Sequence, residues 1–165
     1  MFFIIVGGIV TPIALSALDH SSSQRLEKTL VKGASHRPKT SKNTKYAIEA
    51  MSKNVITQDH EISVAQALKI FKSQKVHHLI LTKNISVIGI VSDRDLLWVE
   101  KINLSEHAMA KQFMAETILC CHEETPLDQV AKVMVKESIS ALPVINDKHE
   151  LSGIITHHDL LKQLF

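Results

Sequence analysis

Two short runs set a hydroxyl and a carboxylate three residues apart at the end of an apolar stretch. They are Val91-Ser92-Asp93-Arg94-Asp95 and Ile155-Thr156-His157-His158-Asp159. Ser/Thr-x-x-Asp after an apolar run marks a strand passing into a helix, because the hydroxyl caps the N–H three residues on while the acid reaches back. Such a cap is worth about 0.5–2 kcal/mol, reason enough for these residues without any ligand. The junction is also equipped for recognition. Free N–H groups and the helix dipole favour an anion beside Ser92 or Thr156. Asp95 and Asp159 can each accept two hydrogen bonds, the number a vicinal diol donates. Both readings stand on the residues alone.

Other reactive side chains carry less. His77-His78, His157-His158 and Cys120-Cys121-His122 have the residue types of a metal site. Neighbours on a strand point to opposite faces, however, and no second ligand pair follows at a suitable spacing. The histidines therefore read as solvated or pocket-lining, and no metal is expected. A cysteine nucleophile would need an orienting partner and an oxyanion loop, neither of which is recognisable, so an enzyme is not expected. Adjacent cysteines rarely bridge each other, and no further cysteine pair exists, which suits a reducing compartment.

The elements that position these residues repeat. A shift of 63 sets Met51 on Met114, Gln66 on Gln129, Lys69 on Lys132 and Leu79 on Leu142; after one inserted residue, Gly89-Ile90 falls on Gly153-Ile154 and Asp95-Leu96-Leu97 on Asp159-Leu160-Leu161. A one-residue insertion between strands is what a surface turn tolerates. Each half reads β-α-β-β-α. Short strands are expected over 55–57 and 118–120. Helices follow, one opened by Ser63, the other capped by Thr125 with Pro126 at its first position. Val64, Ala67, Leu68 and Phe71, and Leu127, Val130, Ala131 and Met134, recur at helical spacing. Hairpins follow over 78–81 and 86–91, and over 141–145 and 151–155, and each half closes with a helix from Ser92 or Thr156. Met51 and Met114 read as core, and Trp98 and Phe113 as packing around the connection. One such copy leaves an apolar sheet face uncovered, so the pair is the expected folding unit, within a chain of 165 residues that can bury one ordinary core.

From about Ala47 to Phe165 the sequence resembles the CBS-domain family. The carriers are Gly89-Ile90-Val91-Ser92-Asp93-Arg94-Asp95, Gly153-Ile154-Ile155-Thr156-His157-His158-Asp159 and the strand Ser140-Ala141-Leu142-Pro143-Val144. The first copy departs from the pattern, with Ile80 where the family usually has proline. The resemblance implies an α/β fold of two pseudo-symmetric motifs, over 47–107 and 108–165, packed sheet to sheet as one CBS pair. It implies two clefts for adenosine-containing ligands such as AMP, ADP, ATP or S-adenosylmethionine, no required cofactor, and a regulatory rather than catalytic role. One cleft would use Ser92 and Asp95 with Leu119, Cys120, Ile139 and Ser140; the other Thr156 and Asp159 with Ile56, Thr57, Val76 and His77. Arg94 and His77 are the phosphate candidates. The alternative is a structural module with empty clefts that dimerises. A homodimer is expected in either case.

Residues 1–18 contain no ionisable side chain, and residues 19–46 carry Arg25, Lys28, Lys32, Arg37, Lys39, Lys42 and Lys45 against Asp19 and Glu27. The apolar run just reaches membrane-spanning length. It reads as an apolar N-terminal helix that anchors the body at the cytoplasmic face of a membrane, as a signal with cleavage positions near 14–17, or as a leader to a cytoplasmic protein. Residues 19–46 read as a basic linker with a possible short helix over 24–31. The net charge of +2 and 4% aromatics give no basic face or stacking platform, so no nucleic-acid partner is expected.

Overall fold

The computed structural model describes residues 1–14, 44–102, 104 and 107–164. Most of the basic linker, its short helix and the cleavage positions after residue 14 lie outside the described residues. The chain divides into two compact units, one of residues 55–118 with 5–9, the other of residues 1–4, 10–54 and 119–165.

The first unit is built on β3 (Thr57–Asp59), α2 (Val64–Gln74), β4 (His78–Lys83), β5 (Ser86–Ser92) and α3 (Asp93–Lys101). Ser63 caps α2: its Oγ accepts from the Gln66 N–H at 3.2 Å, and Gln66 Oε1 accepts from the Ser63 N–H at 3.1 Å. Lys75 ends the helix in the left-handed region at φ 53°. The helix carries the chain between the parallel strands β3 and β4, which a tight turn cannot join, and β5 then returns antiparallel. Val64, Ala67, Leu68 and Phe71 of α2 and Leu96 and Val99 of α3 are buried with Leu79, Leu81 and Val91 of the sheet in one core. Phe113 packs against that core, but Trp98, expected to pack at the connection, is 63% exposed.

The second unit repeats this order with β6 (Thr117–His122), α4 (Leu127–Lys136), β7 (Ala141–Ile145), β8 (Leu151–Thr156) and α5 (His157–Lys162). Strands β6 and β7 are parallel, β7 and β8 antiparallel. Ser138, at φ 54°, follows α4 as Lys75 follows α2, at the same offset of 63. Leu127, Val130, Val133 and Met134 bury against Leu142, Val144 and Ile155. The expected cap is replaced: Pro126 is the N-cap and makes no side-chain cap bond. Thr125 is fully buried instead, with its Oγ1 donating to the Met1 carbonyl at 2.9 Å.

The units are not the two sequence copies. A helical turn, α1 (Ala47–Ala50), opens the first copy but packs in the second unit, bonded to the carbonyls of Thr125 and Glu123. Ser52 and Ile154 exchange both backbone hydrogen bonds, at 2.9 and 3.0 Å. In the first unit Ala115, from the start of the second copy, exchanges both with Ile90, at 2.8 and 3.2 Å. Each copy's leader is thus laid on the other copy's last strand. The two methionines complete this exchange. A Cβ built on Gly153 would lie 2.8 Å from Met51 Cγ and 3.1 Å from the Ser52 carbonyl; one on Gly89 would lie 2.7 Å from Met114 Cγ. Neither glycine is needed for its φ. Both are needed for the close approach.

The apolar N-terminal helix is corrected to a hairpin. Strands β1 (Phe2–Val6) and β2 (Ile9–Ile13) are joined by Gly7 and Gly8 at φ 56° and 85°, the two positive values that a tight two-residue hairpin turn requires. β1 is next to β6, giving the order β2-β1-β6-β7-β8, while the first copy's sheet has, among the described residues, the order β3-β4-β5. β-branched side chains on both sides of Gly-Gly favour strands, and Pro12 sits on the outermost strand, where a missing N–H costs little. Phe2, Phe3, Ile4 and Ile5 are 2–8% exposed, so β1 puts most of its apolar surface inside the protein, while Val6 and Ile9 around the turn are exposed. No helix among the described residues is long and apolar enough to cross a membrane.

Gly153→Ala should destabilise the protein by about 1–3 kcal/mol, the usual cost of overpacking, because both a side chain and a backbone oxygen are in the way. Adding Met51→Ala should return part of that loss. Urea denaturation of the three proteins measures it, and an unchanged midpoint for Gly153→Ala would refute the close approach.

His78 opens β4 half-buried. Burial lowers its pKa from 6.5, against the opposing pull of Asp93. The unfolded chain therefore binds a proton first as pH falls below about 6.5. The stability from keeping His78 neutral is present in full above that value and is lost on acidification through the window down to its lowered pKa. The urea midpoint should fall between pH 7.5 and 5.5, and less so in His78→Gln; parallel slopes would exclude His78 as the source.

Candidate functional site

Each unit gathers, at one end of its own sheet, residues that the resemblance assigns to different clefts, so each expected cleft set has members in both units. In the first, Ile56 and Thr57 lead into β3, Val76 and His77 lead into β4, and Ser92, Arg94 and Asp95 stand where β5 becomes α3. The register fixes this grouping: Thr57 is opposite Ile80, and His78 is opposite Ser92. In the second unit Leu119 and Cys120 lie on β6, Ile139 and Ser140 precede β7, and Thr156 and Asp159 stand where β8 becomes α5. Ala141 is opposite Thr156, and the His157 N–H donates to the Ser140 carbonyl at 3.2 Å.

The two strand-to-helix junctions have nearly the same geometry. Asp95 Oδ2 accepts from the Ser92 N–H at 2.8 Å and from Ser92 Oγ at 2.6 Å, and the Asp95 N–H donates back to Oγ at 3.4 Å. The corresponding distances for Asp159 and Thr156 are 2.9, 2.7 and 3.4 Å. Both are complete capping boxes. In each, Oδ2 has used its lone pairs on the protein and the hydroxyl has spent its proton. What remains for a diol is Oδ1. Lys162 Nζ lies 3.8 Å from Oδ1 of Asp159. Asp95 is exposed, whereas the side chain of Asp159 is 13% exposed.

The surrounding charges differ. In the first junction His77 Nδ1 lies 2.7 Å from Asp93 Oδ2, with His77 largely exposed, and the Asp93 N–H donates to the His77 carbonyl at 3.1 Å. Asp93 and Asp95 together make the first turn of α3 acidic, with the exposed Arg94 between them. The first turn of α5 has one acid, Asp159, beside exposed His157 and His158.

Cys120 and Cys121 are free and fully buried. Burial pushes each thiol up to about 12, so both are protonated at neutral pH and poor nucleophiles. Cys121 belongs to the core with Phe2, whereas Cys120 Sγ lies 3.6 Å from the Phe3 carbonyl, an in-chain acceptor that the sequence did not suggest.

A family model for the CBS domain matches residues 47–101 and 110–165. The L-aspartate semialdehyde sulfurtransferase of Methanocaldococcus jannaschii is 30% identical over 113 residues, which is 68% of this chain and 22% of the enzyme. The inosine-5′-monophosphate dehydrogenase of the same organism is 23% identical over 164 residues, 92% of this chain and 32% of the enzyme. This chain spans between a fifth and a third of the length of such curated relatives. Among solved structures, the CBS domain pair of protein MJ0100, in complex with 5′-methylthioadenosine and S-adenosyl-L-methionine, has a TM-score of 0.67 at 27% identity, covering 74% of this chain and 97% of that one. The duplicated β-α-β-β-α order, the twin capped junctions and these matches agree: the chain belongs to the CBS-domain family and carries the domain twice, in tandem.

Proposed function

We propose that this CBS pair is a non-enzymatic regulatory module that senses an adenosine-containing ligand, S-adenosyl compound or adenine nucleotide, and acts through a ligand-shifted conformation or dimerisation. The observation that carries the reading is the twin junction: two carboxylates, Asp95 and Asp159, each held by its own cap with Oδ2 spent and Oδ1 turned to other use. A carboxylate fixed in this way is pre-organised to take the paired hydroxyls of a ribose, since its rotamer freedom is already lost. The MJ0100 pair, similar to this chain at 27% identity, supports the ligand class, because both of its ligands contain adenosine. Around the ribose, Ile56, Thr57 and Val76, and Leu119, Cys120, Ile139 and Ser140, would line the base slots, while His77 and Arg94 would meet phosphate where it is present.

Ligand would act by binding one arrangement better than another and shifting the population. The outer face of α3 offers a readout: Leu97, Trp98 and Ile102 are 44%, 63% and 40% exposed, apolar surface that fits a second copy of the chain. The same face also favours the second reading, a dimerisation module whose clefts stay empty. The free, buried cysteines suit a reducing compartment.

Titration with S-adenosylmethionine, 5′-methylthioadenosine, AMP and ATP separates the two. A ligand at about 100 times its dissociation constant should add around 2.7 kcal/mol of stability; a scaffold should respond to none. At an occupied site, replacing its carboxylate (Asp95→Asn or Asp159→Asn) should weaken binding about tenfold or more, since a hydrogen bond to a charged group is worth about 1.5–3 kcal/mol. Unchanged affinity in both variants would remove the ribose assignment.

His77 has its own test, because its ring is held on Asp93 and a phosphate would have to compete with that carboxylate. His77→Ala should lower affinity for AMP or ATP more than for adenosine. Calorimetry with the three ligands decides it, and equal losses would show that His77 serves the Asp93 pair alone.

A further inference from the structure

The two copies match at Thr57 and Cys120, and at Ile56 and Leu119, 63 residues apart. These are the paired positions proposed to line the two base slots. Ile56 and Leu119 are both half-buried, but Thr57 and Cys120 are not equally accessible. Thr57 is exposed, and its strand β3 has a single neighbour among the described residues, β4. Cys120 is 0% exposed, and its strand β6 has a second neighbour, β1, whose Phe3 carbonyl lies 3.6 Å from Cys120 Sγ. Among the described residues, the hairpin of β1 and β2 lies outside both matched copies of the domain, and β3 has no such neighbour.

We infer that the N-terminal hairpin makes the two ligand sites unequal: docked on β6 it closes the site that uses Leu119 and Cys120, and it leaves the site that uses Ile56 and Thr57 open. The inference rests on the proposed function and adds a regulatory device to it. The hairpin is suited to the part. It is an accessory to a β-α-β-β-α motif that stands without it in the first copy. Its hold on β6 is the strand pairing of β1, the apolar burial of Phe2, Phe3 and Ile4, and the Met1 carbonyl, which accepts from the His122 N–H at 2.9 Å and from Thr125 Oγ1. Ordering a short hairpin costs conformational entropy that offsets much of such burial, so undocking is accessible without global unfolding. If only the undocked fraction accepts ligand at the second site, the apparent dissociation constant there is raised by the inverse of that fraction.

The test is stoichiometry. Calorimetry with S-adenosylmethionine, 5′-methylthioadenosine, AMP and ATP should give one site per full-length chain. Deletion of residues 1–14, or Phe3→Asp in the full chain, should give two. Both variants are taken because loss of Phe2 from the core weakens the deletion, whereas Phe3→Asp leaves Phe2 in place. In parallel, labelling by a thiol reagent should be slow in the full chain and at least tenfold faster at one thiol in either variant, which shows that β6 has been uncovered. Two sites in the full chain overturn the inference. One site in a variant that unfolds cooperatively and labels fast overturns it as well, because the cover has been removed and nothing has opened. No binding of any probe to any of the three proteins overturns the sensing reading and this inference with it.

Discussion

A methionine of each copy lies across a glycine of the other, and around those two contacts the rest of the fold is arranged. Gly89 and Gly153 have no room for a methyl group because Met114 and Met51 occupy it. Beside each methionine, two backbone hydrogen bonds join a leader to a strand that is distant in sequence, Ser52 to Ile154 and Ala115 to Ile90. Buried backbone groups need such partners. A copy cut from the chain would therefore lose its own leader's partner and leave its last strand without one. The repeat is a unit of sequence, while the unit of stability is a repeat that carries its neighbour's leader.

The same last strands end in the two capped junctions, which ties stability to chemistry. Asp95 and Asp159 are not free acids awaiting a ligand; each holds its helix start through two short bonds to Oδ2. Capping and recognition were rival readings of Ser/Thr-x-x-Asp, but the geometry makes them compatible, since one oxygen can cap while the other binds. The cap also fixes the carboxylate's direction, and a fixed acceptor loses less entropy on binding than a mobile one. The nearby cysteines are buried and protonated at neutral pH.

Much of this was legible in the residues because it is local or periodic. The 63-residue offset predicted two equal element orders, and it holds down to the left-handed residues Lys75 and Ser138 that follow α2 and α4. The Ser63, Ser92 and Thr156 caps are nearest-neighbour chemistry and formed as expected. What failed was decided by distant partners. Thr125 before Pro126 looks like a cap, but its hydroxyl reaches the Met1 carbonyl instead. β3 begins two residues later than expected because its bounds follow its pairing with β4 rather than its apolar run. The N-terminus was misread although its signal was present. Phe2–Val6 and Ile9–Ile13 around Gly7-Gly8 form a hairpin pattern, yet the absence of charge over the same residues also satisfies a membrane helix. Only the open edge of β6 decides between them, and no local pattern records that edge.

Pseudo-symmetry in backbone does not imply equality in chemistry. The first turn of α3 carries Asp93 and Asp95, and its nearby His77 is already paired with Asp93. A phosphate brought there meets two carboxylates, and the helix dipole is already satisfied by them. The first turn of α5 has Asp159 alone, with Lys162 beside it. The hairpin adds a second inequality, through cover rather than charge, on the strand that carries Leu119 and Cys120. Duplication thus supplies two copies of one capped carboxylate, and what differs between the copies is the charge around it and the strand beside β6.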